Sequence, residues 1–283
     1  MMLQEPVAEM LGDDGLPADA PERAERSGTL VRGLAVLEAL TQALQPMSLA
    51  EIAAATGLDQ STTHRLLKVL DESKYVIRIL GTRRYCASPK LLHPLPLLHP
   101  LDELRREAAP LLRDLALGLR LTTVFVVFVG WERLVLDVAQ APGSLTPYYS
   151  TWLEGPLHAT GGGKSLLLGL DEAQRRTLLG PGPFAAATPQ TLTEWPRLTA
   201  DLARSAQRGY VVSRDEHRSG VTNVGAPITR WKGGPAGCLI ASAHSADIDD
   251  DGIASVGAEL KRVAELLVYQ APSLEAASRF CGH

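Results

Sequence analysis

The chain has 283 residues, 45% of them hydrophobic and 21% charged, with 25 Gly, 19 Pro and a formal net charge of −4. That length suits about two domains of ~100–200 residues, and the composition excludes a collagen-like repeat, a coiled-coil rod and a chain disordered throughout. The longest uninterrupted apolar run, Val124–Val129, is far short of the ~20 residues that cross a bilayer.

Residues 1–26 hold seven acidic and two basic residues among Pro, Ala and Gly, and are expected to form a disordered acidic arm. They lack the basic-then-apolar pattern of a secretory signal. Cys86, Cys238 and Cys281 are scattered without a C-x-x-C and read as reduced thiols, which places the expected protein in the cytoplasm.

The periodicity sharpens over residues 27–90. Leu30, Leu34, Leu37, Leu40 and Leu44 recur at three- to four-residue steps, an amphipathic helix ending before Pro46. Ser48-Leu49-Ala50-Glu51 is a capping box opening a short second helix that stops at Gly57. Asp59 can cap a third helix from Gln60 to about Ser73, with Thr63, Leu66, Leu67 and Leu70 inward and Ser61, His64, Arg65 and Lys68 outward. Tyr75–Leu80 and Arg84–Ala87, joined by Gly81-Thr82-Arg83, read as a β-hairpin. Three helices followed by a hairpin give the order of a winged helix-turn-helix.

Residues 91–102 are proline-dense, with Leu-Leu-His-Pro occurring twice, and read as a linker. Leu101–Leu119 regains helical spacing, interrupted or kinked at Pro110. Beyond it the texture is α/β. Thr122–Val129 and Arg133–Gln140 form an expected antiparallel hairpin, and helices are expected at Gly163–Gly169, Asp171–Leu179, Trp195–Arg208 and Asp251–Val268. Strands are expected at Tyr210–Ser213, Thr222–Ile228 and Ala236–Ser242. The domains are therefore an arm (1–26), a winged helix-turn-helix (27–90), a linker (91–102), an α/β domain (103–272) and a tail (273–283). The fold class is α+β.

Charge separates these segments. Residues 27–90 carry eight basic and five acidic residues, so the one basic unit hides inside an acidic total. A major groove admits a helix whose first residues reach base edges while flanking cations take phosphates. Gln60, Ser61, Thr62, His64 and Arg65 are the donor-rich residues suited to base edges, with Lys68 on the same outer face. Arg83 and Arg84 fall where a wing would follow the phosphates, and Arg32 can reach a phosphate from the first helix. The alternative is a winged helix that serves protein contacts within a small-molecule sensor.

Three other motifs fail on spacing. Gly161-Gly162-Gly163-Lys164-Ser165 ends like a phosphate loop, but the first glycine should stand at position 158, which is His158. What survives is a glycine-rich helix start whose N–H groups suit a small ligand's acceptor. Asp247-Ile248-Asp249-Asp250-Asp251-Gly252 opens like a calcium loop, yet its closing Glu position is Ala258. Asp215-Glu216-His217 is a polar cluster whose adjacent residues do not share a face. There is no nucleophile elbow, no H-E-x-x-H and no His spacing for a metal, so neither catalysis, metal nor cofactor is expected.

Taken in order, several segments resemble the IclR-type transcriptional regulators. They are Leu30 to Glu38, Ser48 to Ala53, Ser61 to Leu67, Gly155 to Thr160 with Gly163 to Ser165, Thr191-Leu192-Thr193, Arg208-Gly209-Tyr210 and Gly220 to Ile228. The resemblance runs from about Thr29 to Leu267. It implies a GAF/profilin-like C-terminal effector domain, homodimers or dimers of dimers on a palindromic double-stranded DNA operator, and repression or activation of small-molecule catabolic genes. It also implies an effector pocket at Gly161, Gly162, Ser213, Asn223, Ile240 and Ser242. Asn223 replaces a common cysteine there, Ser213 a common aspartate and Ile240 a common serine. The expected effector is therefore larger and less polar than a short ketoacid, an aromatic or aliphatic acid.

Overall fold

The computed structural model describes residues 28–43, 45–79, 81–92, 99–145, 153–230 and 233–281. Two compact units divide after Pro96. The acidic arm, Leu44, Leu80 and most of the proline-rich run lie outside the described residues.

The first unit runs α1 (Thr29–Gln42), β1 (Met47–Ser48), α2 (Leu49–Thr56), α3 (Gln60–Glu72), β2 (Val76–Arg78) and β3 (Arg84–Ala87). Local chemistry sets its boundaries. Ser48 and Glu51 complete the reciprocal capping box of α2, and Gly57 ends it in the left-handed conformation. Asp59 caps α3 by accepting from Thr62 N at 2.8 Å. Val36, Leu40, Ile52, Leu66, Leu67 and Val76 form the core. The sheet order is β1-β3-β2, so the hairpin gains a two-residue strand that periodicity could not reveal.

One sequence expectation is corrected here. Of the leucine ladder, Leu40 lies on the buried stripe of α1 with Gly33 and Val36 and Leu37 packs partly against the core, whereas Leu30 is 76% and Leu34 49% exposed, with Val31 beside them at 49%. A helical period alone cannot choose between two apolar stripes a few tens of degrees apart. The choice falls to packing, because Val36 and Leu40 meet Ile52, Leu66, Leu67 and Val76 in one core.

The second unit comprises α4 (Pro100–Leu119), β4 (Thr122–Val129), β5 (Glu132–Ala139), α5 (Gly161–Leu168), α6 (Glu172–Leu179), α7 (Trp195–Arg208), β6 (Val211–Arg214), β7 (Val221–Thr229), β8 (Pro235–His244), α8 (Asp250–Gln270) and α9 (Ser273–Phe280). The helix α4 starts ahead of the expected linker end at 102 and continues through Pro110. The antiparallel sheet has order β5-β4-β8-β7-β6. One face packs on residues of α4, α8 and α9, including Leu112, Leu260 and Leu274. The other packs on α5, α7 and Phe184.

The expected tail is also corrected. Residues 273–280 form a helix that buries Ser273, Leu274, Ala277 and Ser278, and Ser273 N donates to Glu107 Oε2 on α4 at 3.2 Å. The acidic run 247–252 serves the start of α8, where Asp249 accepts from Gly252 N at 2.8 Å, and Asp250 pairs with Arg214 at 2.8 Å. No group of three or more potential metal ligands occurs among the described residues.

Candidate functional site

The helix α3 presents its polar face as its cap and core dictate. Thr63, Leu66 and Leu67 are buried, which leaves Gln60, Ser61, His64, Arg65 and Lys68 exposed on the opposite side. Two hydroxyls assigned to base edges have local partners. Ser61 Oγ donates to Asp59 Oδ1 and Thr62 Oγ1 to Asp59 Oδ2, both at 2.6 Å. These bonds hold the Asp59 carboxyl far below its usual range. Gln60, His64, Arg65 and Lys68 are therefore the longer reaching groups.

Arg83 is exposed at the hairpin turn, but Arg84 has a different assignment from the one its position suggested. Its Nη1 donates to Pro46 O at 2.6 Å and pairs with Glu51 Oε2 at 3.1 Å. Glu51 is the capping-box carboxylate, so Arg84 ties β3 to the start of α2 rather than projecting as a wing cation. Arg32 is half-buried on α1.

In the second unit, Ser213 pairs with Asn223 and Asn223 with Ser242 across β6, β7 and β8. Directly paired residues share a face, so the three form one polar row. Ile240 lies two residues from Ser242 on that face. The three glycines open α5, with Thr160 as the N-cap accepting from Gly163 N at 3.2 Å. Their smallness sets how closely the helix start meets the sheet. A Cβ on Gly161 would stand 3.2 Å from Asn223 Cβ, and one on Gly163 only 2.3 Å from the Leu157 carbonyl.

Gly161, Gly162, Asn223 and Ile240 are thus gathered around one helix start, with Ser242 donating to Asn223 Oδ1 at 2.6 Å. Ser213 is at the same row but bonds elsewhere, donating to Ala159 O at 2.6 Å. An open cleft of about 460 Å3 between the end of α4 and the start of α8, lined in part by Arg120, His244 and Asp247, contains none of these residues.

Sequence reasoning missed what Lys164 does. Its fully buried ammonium bonds Asp201 Oδ2 at 2.9 Å, Glu216 Oε1 at 2.6 Å and Val212 O at 3.1 Å. The cluster ties α5 to α7 and to the turn after β6. No phosphate role is left for this lysine. Burial, opposed by Lys164 and reinforced by Asp201, pushes the Glu216 carboxyl up to about 7. Sequence also gave no sign of Arg133, which is 6% exposed beside the same helix start.

Comparison with known proteins follows the two-unit division. A model described as the IclR helix-turn-helix domain matches residues 29–78, and one described as the bacterial transcriptional regulator IclR C-terminal matches residues 98–268. The transcriptional repressor IclR of Escherichia coli is 27% identical over 92% of this chain and 95% of its own. The crystal structure of Thermotoga maritima IclR is similar with a TM-score of 0.72 and 24% identity, covering 90% of this chain and 99% of that one. An IclR homolog from Microbacterium hydrocarbonoxydans, complexed with 4-hydroxybenzoate, has a TM-score of 0.70 at 21% identity and covers 88% and 100%.

Proposed function

Because the chain belongs to the IclR family of bacterial transcriptional regulators, we propose that it grips a palindromic operator as a homodimer or a dimer of dimers and is released or recruited by a small molecule. The observation that carries the DNA half is the outer face of α3. Gln60, His64, Arg65 and Lys68 stand exposed opposite its buried face. That is the arrangement a major groove accepts, with Arg or Gln reaching base edges and Lys a phosphate. Arg83 extends the cationic surface at the hairpin turn. The exposed Leu30, Val31 and Leu34 of α1 supply an apolar patch that pairing of two copies would cover.

The effector half rests on the gathering of Gly161, Gly162, Asn223 and Ile240 around the start of α5, beside the polar row of Ser213 and Ser242. The aliphatic Ile240 and the neutral Ser213 favour an aromatic or aliphatic acid over a short ketoacid. The Microbacterium relative is complexed with 4-hydroxybenzoate, which makes hydroxybenzoates the first compounds to screen. A ligand shifts operator affinity only through its different affinities for the two states. The protein's action on cytoplasmic DNA, and on genes of small-molecule catabolism, belongs to the same reading, as does regulation without catalysis.

Footprinting on DNA flanking its own gene tests this, with and without candidate acids. The expected outcome is one or two pairs of protected half-sites, the members of each pair spaced by whole helical turns, with protection altered by a ligand. Failure to protect any fragment at low salt would leave the winged helix to protein contacts instead.

A further inference from the structure

Arg133 is a buried cation whose hydrogen-bond acceptors are all neutral. It comes from β5, paired with Phe128 of β4, and so faces the layer that holds α5 and Ile240. Its Nη1 donates to Thr160 Oγ1 at 2.8 Å and its Nη2 to Gly155 O at 2.7 Å. A guanidinium has five N–H groups. Two are committed here, and Nε is buried with no hydrogen-bond partner.

The placement makes this costly unless an anion arrives. Thr160 is the N-cap of α5, so the guanidinium sits at the positive end of that helix, where a second positive charge is unfavourable and a negative one favourable. A Cβ on Gly162 would be 2.7 Å from Leu153 Cδ2, 3.4 Å from Ile240 Cδ1 and 3.7 Å from Arg133 Cδ, so Leu153 and Ile240 form the aliphatic wall here. The cation is therefore next to the glycines and the aliphatic wall at once. Beside Gly155 stands the His217 ring, which burial and the charges of Arg218 and Arg133 hold below its ordinary pKa. That shift favours the neutral ring and leaves the positive charge here to Arg133.

We propose that Arg133 anchors the carboxylate of an organic acid bound at the start of α5, against the uncommitted guanidinium N–H groups, with the acid's apolar body against Ile240. This rests on reading the second unit as an effector-binding domain. It adds the residue that selects for an anion, which composition and spacing did not mark.

The test uses the full-length protein, its Arg133→Gln and its Arg133→Lys variants, in thermal-shift titrations with benzoate, 4-hydroxybenzoate, hexanoate and pyruvate. Each acid is run beside its primary amide. At least one acid is expected to stabilise the wild type while its amide does not. Arg133→Gln should lose affinity for that acid tenfold or more with an unchanged circular dichroism spectrum. Arg133→Lys, which keeps the charge but not the fork, should lose less, and it carries the comparison if the glutamine variant does not fold. Equal binding of the acid by wild type and variant, or stabilisation by amides alone, overturns the assignment and leaves effector binding standing. Stabilisation by none of the acids or amides overturns both.

Discussion

At Lys164 one buried ammonium serves two carboxylates, and Arg204 pairs with Asp201 from the solvent side at 3.2 Å, so Glu216 is the carboxylate whose charge burial penalises most. Burial, with Asp201 adding to it, raises the Glu216 carboxyl from an ordinary 4.5 to about 7. Between those values the native state holds a proton that the unfolded chain has released. Glu216 therefore contributes its stability fully below about 4.5, and that contribution is lost as the pH rises through 7. Replacing it with the neutral isostere should remove this slope. We expect the melting temperature of the wild type, relative to Glu216→Gln, to fall between pH 5 and pH 8. Lys164→Ala strands the buried Glu216 carboxylate and leaves Asp201 only its ion pair with Arg204 at 3.2 Å; it should cost about 3–5 kcal/mol, measured as a drop in the urea midpoint. None of this cluster was legible, because its members are far apart in sequence and Lys164 sat inside a decoy motif. Arg133 was hidden for the same reason: Gly155 and Thr160 reach it only once β5 has met α5.

Among the elements, the most legible were those whose ends are set by neighbours in sequence. The capping box at Ser48, the Asp59 cap and the left-handed Gly57 each act within four residues, and all were readable. Expected Trp195–Arg208 is α7 to the residue, opening with Pro196 near its start and closing on Gly209. The missed helix α9 did have a signal. Leu274, Ala277, Ser278 and Cys281 fall at helical spacing, but three of the four are too small to read as a stripe. The hairpin of the first unit shows the same limit, since two neighbouring arginines look alike until Glu51 selects one. Arg83→Ala should lower the salt dependence of DNA binding by about 0.9 in log–log slope, as for one phosphate contact. Arg84→Ala should leave that slope nearly unchanged and lower the unfolding midpoint instead. Binding titrations over a salt series, beside urea melts, separate the two.

At the scale of the whole molecule, the net charge of −4 misleads when read as a single number. The segment with eight basic and five acidic residues is 27–90, the part of the first unit that holds the winged helix. So small a surplus suits a binder that gains affinity by engaging two half-sites together. Leu34→Glu places a charge in the exposed apolar patch of α1. It should reduce the sedimentation coefficient toward that of a single chain and weaken operator binding at least tenfold, without lowering the melting temperature. Sheet topology was the least legible feature at this scale. The strand β4 pairs with β8, more than a hundred residues later, and no local pattern specifies which of the apolar strands become neighbours.

The short helix α9 carries a practical consequence for anyone handling this protein. Cys281, which caps its C-terminal end, is 4% exposed, and its carbonyl accepts from Gly130 N at 3.3 Å in the β4–β5 turn. Trimming the chain at 272, where the apolar pattern fades, would uncover the floor beneath Leu274 and Ala277 and leave a sticky surface prone to precipitation. A purification tag is better carried at the opposite terminus, ahead of the acidic arm. A fluorophore coupled through maleimide would label Cys86, the half-buried thiol, before it reached Cys238 or Cys281.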